Sequence, residues 1–158
     1  MGKIVLSRID DRLIHGQVMT AWVSYVGGKE ILIIDDKVAK DPFLSAVIMG
    51  AAPKNLKVQV MTVTSAIDYL KDSANIDENI ILLAKGPETF LELFNQGVGI
   101  QEINLGGMGS KQDRKKLYKN IAVSDTEREI FRKLVNNGIH VYIQVVPNME
   151  SVDIEKYL

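Results

Sequence analysis

Short apolar runs rich in isoleucine and valine alternate along the chain with longer amphipathic stretches, the pattern of repeated β-α units around a mostly parallel sheet. Strands are expected near Lys3–Ser7, Glu30–Ile34, Lys57–Met61, Asn79–Ala84, Glu102–Leu105, Asn120–Val123 and His140–Val145. Several are apolar at successive positions, as strands covered on both faces are. Helices are expected near Ile14–Val26, Asp41–Ala51, Ser65–Lys71, Pro87–Gln96 and Asp125–Asn136. Gly27-Gly28 stops the first, and Pro87 suits the first turn of the fourth. Ser124 ahead of Asp125 and Glu127 reads as a cap followed by acids at the positive helix end, with Gly138 closing that helix. The expected architecture is one α/β domain over residues 1–158. It has a mostly parallel central sheet of about seven strands, helices on both faces, and the last strand antiparallel at the edge.

Composition narrows the function classes. A chain of 158 residues is long enough to bury roughly 70% of the surface its unfolded form exposes, so it needs no staple. Cysteine is absent, which excludes a disulfide framework, a thiolate metal site and a thiol nucleophile and suits a reducing cytosol. The apolar part of the opening MGKIVLSR is too short for a signal segment, and no run approaches the roughly 20 apolar residues that span a bilayer. Nineteen basic and twenty acidic residues give a formal charge of −1, which argues against nucleic acid or anionic lipid as the main partner. A charge-based function must therefore be local.

Ligands of open α/β sheets collect at the carboxyl ends of the strands. After the first expected strand comes Arg8-Ile9-Asp10-Asp11-Arg12-Leu13-Ile14-His15-Gly16-Gln17, which places two arginines, two carboxylates and an imidazole within one turn and a helix start. One ring nitrogen of a neutral histidine is a ready nucleophile toward phosphorus while the other holds a proton. A phosphorylated ring would carry about two negative charges, which the free N–H groups of a helix start and the guanidiniums of Arg12 and Arg8 offset. Gly16 would let the phosphate approach the backbone. Asp10 and Asp11 would repel a phosphate, so their expected tasks are orienting an arginine, capping the helix or accepting the imidazole N–H, with Asp10 assigned to orientation and Asp11 to capping. On spacing alone, an ordinary solvated salt-bridge cluster is an equally fair account of these residues.

Other chemistry-bearing residues are weighed in the same way. His140 begins a strand between Ile139 and Val141 and is expected to be structural or at an edge. Asp35-Asp36 after the second strand, with Lys85 after the fourth, suits either helix capping or an acidic phosphoacceptor pocket of a receiver-like signalling domain. The glycines at 106, 107 and 109 do not have the dinucleotide-binding spacing. They are expected to form a mobile loop near the site, although a nucleotide or sugar-phosphate binding module is a further alternative. Val18, Ala21, Trp22 and Tyr25 recur at helical spacing, so Trp22 is assigned to packing.

The run Ile9-Asp10-Asp11-Arg12-Leu13-Ile14-His15-Gly16-Gln17-Val18 closely resembles the active-site segment of enzyme IIB of the mannose/fructose/sorbose family of the bacterial sugar phosphotransferase system. Asp35-Asp36, Asn104-Leu105-Gly106-Gly107-Met108 and Val145-Val146-Pro147 extend the resemblance over the whole chain. It implies that His15 accepts a phosphoryl group on Nδ1 from a histidine of enzyme IIA and passes it to a sugar held by membrane enzymes IIC and IID. It also implies that Arg8, Asp10, Arg12, Gly16 and Gln17 bind the phosphate or orient the loop, that no metal or cofactor takes part, and that the protein is cytoplasmic and peripheral to the transporter. A homodimer is expected from helix faces left apolar. Related chains often carry an aromatic or a histidine near Gly109-Ser110, whereas the side chains here are small. A relay of this kind calls for a His15 that is solvent-facing on a level or convex surface, since both rings must approach one phosphorus.

Overall fold

The computed structural model describes residues 2–158. Its strands are β1 (Ile4–Asp10), β2 (Glu30–Ile34), β3 (Lys57–Met61), β4 (Ile80–Ala84), β5 (Glu102–Gly107), β6 (Lys115–Tyr118), β7 (Ile121–Val123), β8 (His140–Ile143) and β9 (Val152–Asp153). Its α-helices are α1 (Gly16–Val26), α2 (Asp36–Ala39), α3 (Pro42–Gly50), α4 (Val63–Lys71), α5 (Pro87–Asn95) and α6 (Asp125–Asn136). Seven strands form one sheet in the order β3-β2-β4-β1-β5-β8-β9. All neighbours in it run parallel except β8 and β9, which are antiparallel.

The expected sheet is therefore present, with two changes of membership. Ile121–Val123 is a strand, but it pairs with β6 in a separate antiparallel hairpin. Only Lys119-Asn120 separate it from β6, so the hairpin is the pairing nearest along the chain. The antiparallel edge is formed by Val152–Asp153, a two-residue strand too short to stand out as a pattern, while the strand that begins at His140 is parallel.

Alternation along the strands divides the core into two layers. Leu32, Ile34, Ile80, Leu82 and Ile9 face the layer that holds Phe90, Leu93, Phe131 and Leu134 of α5 and α6. Ile31, Ile33, Ile81, Leu83 and Leu6 face the opposite layer, with Met19 and Trp22 of α1, Val38 of α2 and the partly buried Leu44 and Ile48 of α3. Two residues beyond Leu6, on the face of β1 turned toward Trp22, stand Arg8 and then Asp10, both buried. β1 thus carries its charges into the protein at its carboxyl end, where a parallel sheet gathers its ligand-binding groups.

Helix ends follow local chemistry. Gly27 adopts φ +69° and closes α1, its N–H bonding the Val23 carbonyl. Asp35, Asp41 and Thr62 cap α2, α3 and α4 through their side chains. At α6 the Ser124 hydroxyl accepts from the Glu127 N–H while the Glu127 carboxylate accepts from the Ser124 N–H, a reciprocal capping box. Ser124→Ala removes half of that box and should cost about 1 kcal/mol in urea denaturation, with the slope of the transition unchanged.

Candidate functional site

The loop from β1 to α1 is shaped by its backbone. The N–H of Leu13 bonds back to the Asp10 carbonyl at 2.9 Å, and Leu13 takes φ +58°, an unusual conformation for a residue with a branched side chain. Burial of Leu13 and Ile14 in the α1 layer holds the turn in place. Helix α1 consequently begins at Gly16, two residues later than expected, and His15 is its N-cap. Gly16 has φ +49°, which favours glycine, and a Cβ there would meet nothing within 4 Å, so the space beside it is open. Gln17 is exposed in the first turn.

Asp10 is the centre of the site. Its Oδ1 accepts from the Arg12 backbone N–H and from Arg12 Nε, both at 3.1 Å. Its Oδ2 accepts from His15 Nε2 at 2.8 Å, from Arg8 Nη2 at 3.1 Å and from Arg12 Nη2 at 3.2 Å. Burial pushes the Asp10 carboxyl up. Donors from Arg12 and His15, with the positive charge of Arg8, outweigh that effect and hold it below the ordinary aspartate value. An ionised carboxylate only accepts, so the imidazole nitrogen facing it carries the proton. Nε2–H is thereby the assigned tautomer, and Nδ1 keeps its lone pair. Among the described residues Nδ1 has no hydrogen-bond partner and is not cut off from solvent. The His15 side chain as a whole is 26% exposed, less than the fully solvent-facing position expected.

The two arginines named from the sequence sit in different environments. The Arg12 side chain is 54% exposed. Arg8 is enclosed, with Nη1 donating to Asn104 Oδ1 at 2.6 Å and to the Gln144 carbonyl at 3.3 Å. Burial draws its pKa below the ordinary arginine value. A guanidinium so enclosed does not face a phosphoryl group on the solvent side of His15, so of the two tasks expected for Arg8 only the orienting one is open to it.

Asp11 does not cap α1, because the left-handed turn at Leu13 separates it from the helix start. Its Oδ2 instead accepts from the Gly109 N–H at 2.8 Å and from Arg114 Nη1 at 3.1 Å. Arg114 also donates to the Gly109 carbonyl and makes a two-point contact with Glu127, both bonds at 2.9 Å. Burial would lower Arg114, but the Glu127 and Asp11 carboxylates raise it. Burial would raise Glu127, but Arg114 and the Ser124 N–H lower it. Nothing local in the sequence marks Arg114, since its partners Asp11 and Glu127 lie 103 and 13 residues away.

The mobile glycine loop expected after Leu105 is mostly strand. Gly106 and Gly107 belong to β5, and Met108 is buried. The register between β1 and β5 slips at this point, with Ile9 opposite Leu105 and Asp10 opposite Gly107, so Gly106 is an extra residue in the ladder. A Cβ at Gly106 would lie 2.1 Å from Arg8 Cζ, and one at Gly107 would lie 2.8 Å from Asp10 Oδ1. Glycine is required here by the close approach of bare backbone to the buried charges.

The remaining candidates stand apart. His140 opens β8 and is exposed near Glu102 and Asp153. In a parallel sheet that start lies at the end opposite the carboxyl end of β1. Asp35 caps α2 and stands 3.8 Å from Lys85, and Asp36 accepts from the Val63 N–H. No group of three or more potential metal-ligating side chains occurs among the described residues. Trp22 is buried, and its Nε1 donates to the Val145 carbonyl at 2.9 Å, consistent with packing.

A mostly parallel α/β sheet thus brings an ionised aspartate, an exposed arginine and an anchored histidine together where β1 ends and α1 begins. The family profile of the PTS system sorbose subfamily IIB component matches residues 4–158, and the chain belongs to that family of sugar phosphotransferase components. It is 34% identical to the N-acetylgalactosamine-specific phosphotransferase enzyme IIB component 2 of Escherichia coli K12 over 100% of both chains. It is 31% identical to the mannose-specific EIIAB component of the same organism, covering 96% of this chain and 48% of that one. The crystal structure of the IIBSor domain of the sorbose permease from Klebsiella pneumoniae superimposes with a TM-score of 0.94 at 34% identity, covering 99% of this chain and 96% of that one.

Because the folded-state pKa of Asp10 lies below its unfolded value, its ionisation contributes stability that is complete above about pH 4 and is lost as pH falls through the lowered value. Asp10→Asn should therefore be less stable than the parent at neutral pH, and its urea midpoint should fall less steeply on acidification. A parallel acid limb in the two proteins would contradict this account.

Proposed function

We propose that the chain is a phosphoryl carrier in which Nδ1 of His15 takes a phosphoryl group from phosphorylated enzyme IIA and passes it to a sugar held by membrane components IIC and IID. The observation that carries this reading is the anchoring of Nε2 on Asp10 at 2.8 Å, which leaves Nδ1 as the free nucleophile. Family membership supports the wider role, and the partial match to a fused EIIAB protein supports enzyme IIA as the donor. No helix among the described residues is long and apolar enough to cross a membrane, in keeping with a cytoplasmic carrier that meets its transporter peripherally.

In this reading the Nδ1 lone pair attacks phosphorus as the bond to the donor histidine breaks, and the donor ring takes back its electron pair. The incoming group is met by three features. The side chain of the N-cap makes no bond to the first turn of α1, so the N–H groups there remain unclaimed. Gly16 leaves room beside them. Arg12 is exposed enough to turn a planar guanidinium toward two phosphoryl oxygens. A carrier must not hold its phosphoryl group too firmly, because only stabilisation specific to the transition state speeds the onward step. The partly exposed site suits that demand.

Incubated with phosphorylated enzyme IIA, the wild-type chain should acquire an acid-labile label that His15→Ala lacks and His140→Ala retains. Label persisting in His15→Ala would refute the assignment. Arg12→Ala should slow phosphorylation on the order of 100-fold, and Arg12→Lys less, since an ammonium keeps the charge and loses the two-point grip. Rapid-quench rates compare them directly.

A further inference from the structure

Asp10 is held by two cations of opposite character. Arg12 is on the surface and its side-chain contacts with Asp10 are ones it can exchange. Arg8 is enclosed on every side that the structure defines. The bare backbone of Gly106 lies against its guanidinium, and the Trp22 ring centroid is 5.4 Å from its Cζ. Asn104 Oδ1 takes its Nη1 at 2.6 Å, and Asn104 is itself fixed by donating Nδ2 to the Gln144 carbonyl at 3.0 Å. Its Nη2 reaches Asp10 Oδ2, the oxygen that also accepts from His15 Nε2.

Burying a guanidinium carries a large desolvation cost, here raised by an Nε–H with no partner among the described residues. Holding a histidine in one tautomer does not require it, since a backbone carbonyl does so elsewhere. The arrangement becomes intelligible when Arg12 is asked to do two things. If Arg12 turns to a phosphoryl group on His15, Asp10 loses the Nε and Nη2 donors and gains a nearby dianion. A buried carboxylate in that position takes up a proton unless another fixed cation remains. A protonated Asp10 no longer dictates which imidazole nitrogen carries hydrogen.

We propose that Arg8, braced by Asn104, is a positioning residue that keeps Asp10 ionised and aimed at His15 Nε2 while Arg12 leaves Asp10 for the phosphoryl group. The motion of Arg12 rests on the carrier reading above; the brace itself acts in the unphosphorylated protein too. With Arg8 in place, Nε2 does not have to give up its proton during the cycle, and the proton that the sugar hydroxyl loses goes to a base or to solvent on the acceptor side. Nε2 keeps its hydrogen as the P–Nδ1 bond forms, and when that bond breaks the electron pair returns to Nδ1.

The test is long-range proton–nitrogen NMR of His15 in the unphosphorylated full chain, at about pH 8, above the ordinary histidine range. Arg12→Ala stands for the state in which Arg12 has left Asp10. In that variant His15 should remain the Nε2–H tautomer. In the Arg8→Met, Arg12→Ala double variant the tautomer ratio should fall by about tenfold toward a mixture, in line with the loss of an outer partner of a functional histidine. The Arg8→Lys, Arg12→Ala variant, which restores charge without the second contact, should recover part of it. An unchanged tautomer in the Arg8→Met double variant overturns the proposal. If that protein does not fold, Asn104→Ala with Arg12→Ala replaces it: mixed tautomers support the brace and a single one overturns it. Labelling of the wild type by phosphorylated enzyme IIA separates the two readings. A wild type that takes no label removes the carrier function and leaves the tautomer result standing, whereas a labelled wild type with an insensitive tautomer removes only the brace.

Discussion

A carboxylate taken out of water must be met by donors on all its lone pairs, and Asp10 meets that demand with Arg8, His15 and both the side chain and backbone of Arg12. Much of the local architecture follows from it. Leu13 adopts a left-handed conformation that brings the chain back over Asp10, and His15 ends up at the start of α1 with its ring turned inward. Strand β5 must bring glycine alone past the buried charges, which accounts for the ladder irregularity at Gly106. Without the anion at position 10, neither the two arginines nor the imidazole would have a reason to converge.

Around that centre the protein separates rigidity from exchange. The floor of the site is fixed by Trp22 of α1, Asn104 of β5 and the Gln144 and Val145 carbonyls just after β8. The rim is made of Arg12, Gly16 and Gln17, which are exposed. The flank is held by Arg114, whose bonds tie Asp11 of the first loop to Gly109 after β5 and to the capping box of α6. For the carrier role proposed above this division would be an advantage, because a preorganised floor needs little rearrangement while the groups touching the cargo must let go. The sheet order, with β1 beside β5 and β5 beside β8, brings these three loops to one edge.

The strands and helices that bear the core were legible because their apolar patterns are local and regular. The α6 boundaries were legible because Ser124 and Glu127 are three residues apart and cap each other. The segment from Arg8 to Gln17 was legible as a site because its charges are neighbours in sequence. Val152–Asp153 was not legible, since two residues carry no period, and its pairing with β8 exists only in the folded sheet. The hairpin membership of Ile121–Val123 was hidden for a related reason: an apolar run says that a strand forms and not which strand it pairs with.

The sequence by itself determined the class of fold, the position of His15 at a strand-to-helix turn and the concentration of charge around it, because these follow from residue types at short spacing. Only the tertiary structure decided that Arg8 is buried while Arg12 is exposed, that Asp11 serves Arg114 and not the helix, and that the glycines at 106 and 107 are strand residues shaped by the charges beneath them. Those distinctions depend on which groups share a buried volume. Asn104 stands 96 residues from Arg8 and Gln144 stands 136 residues from it, and nothing along the chain specifies that they meet.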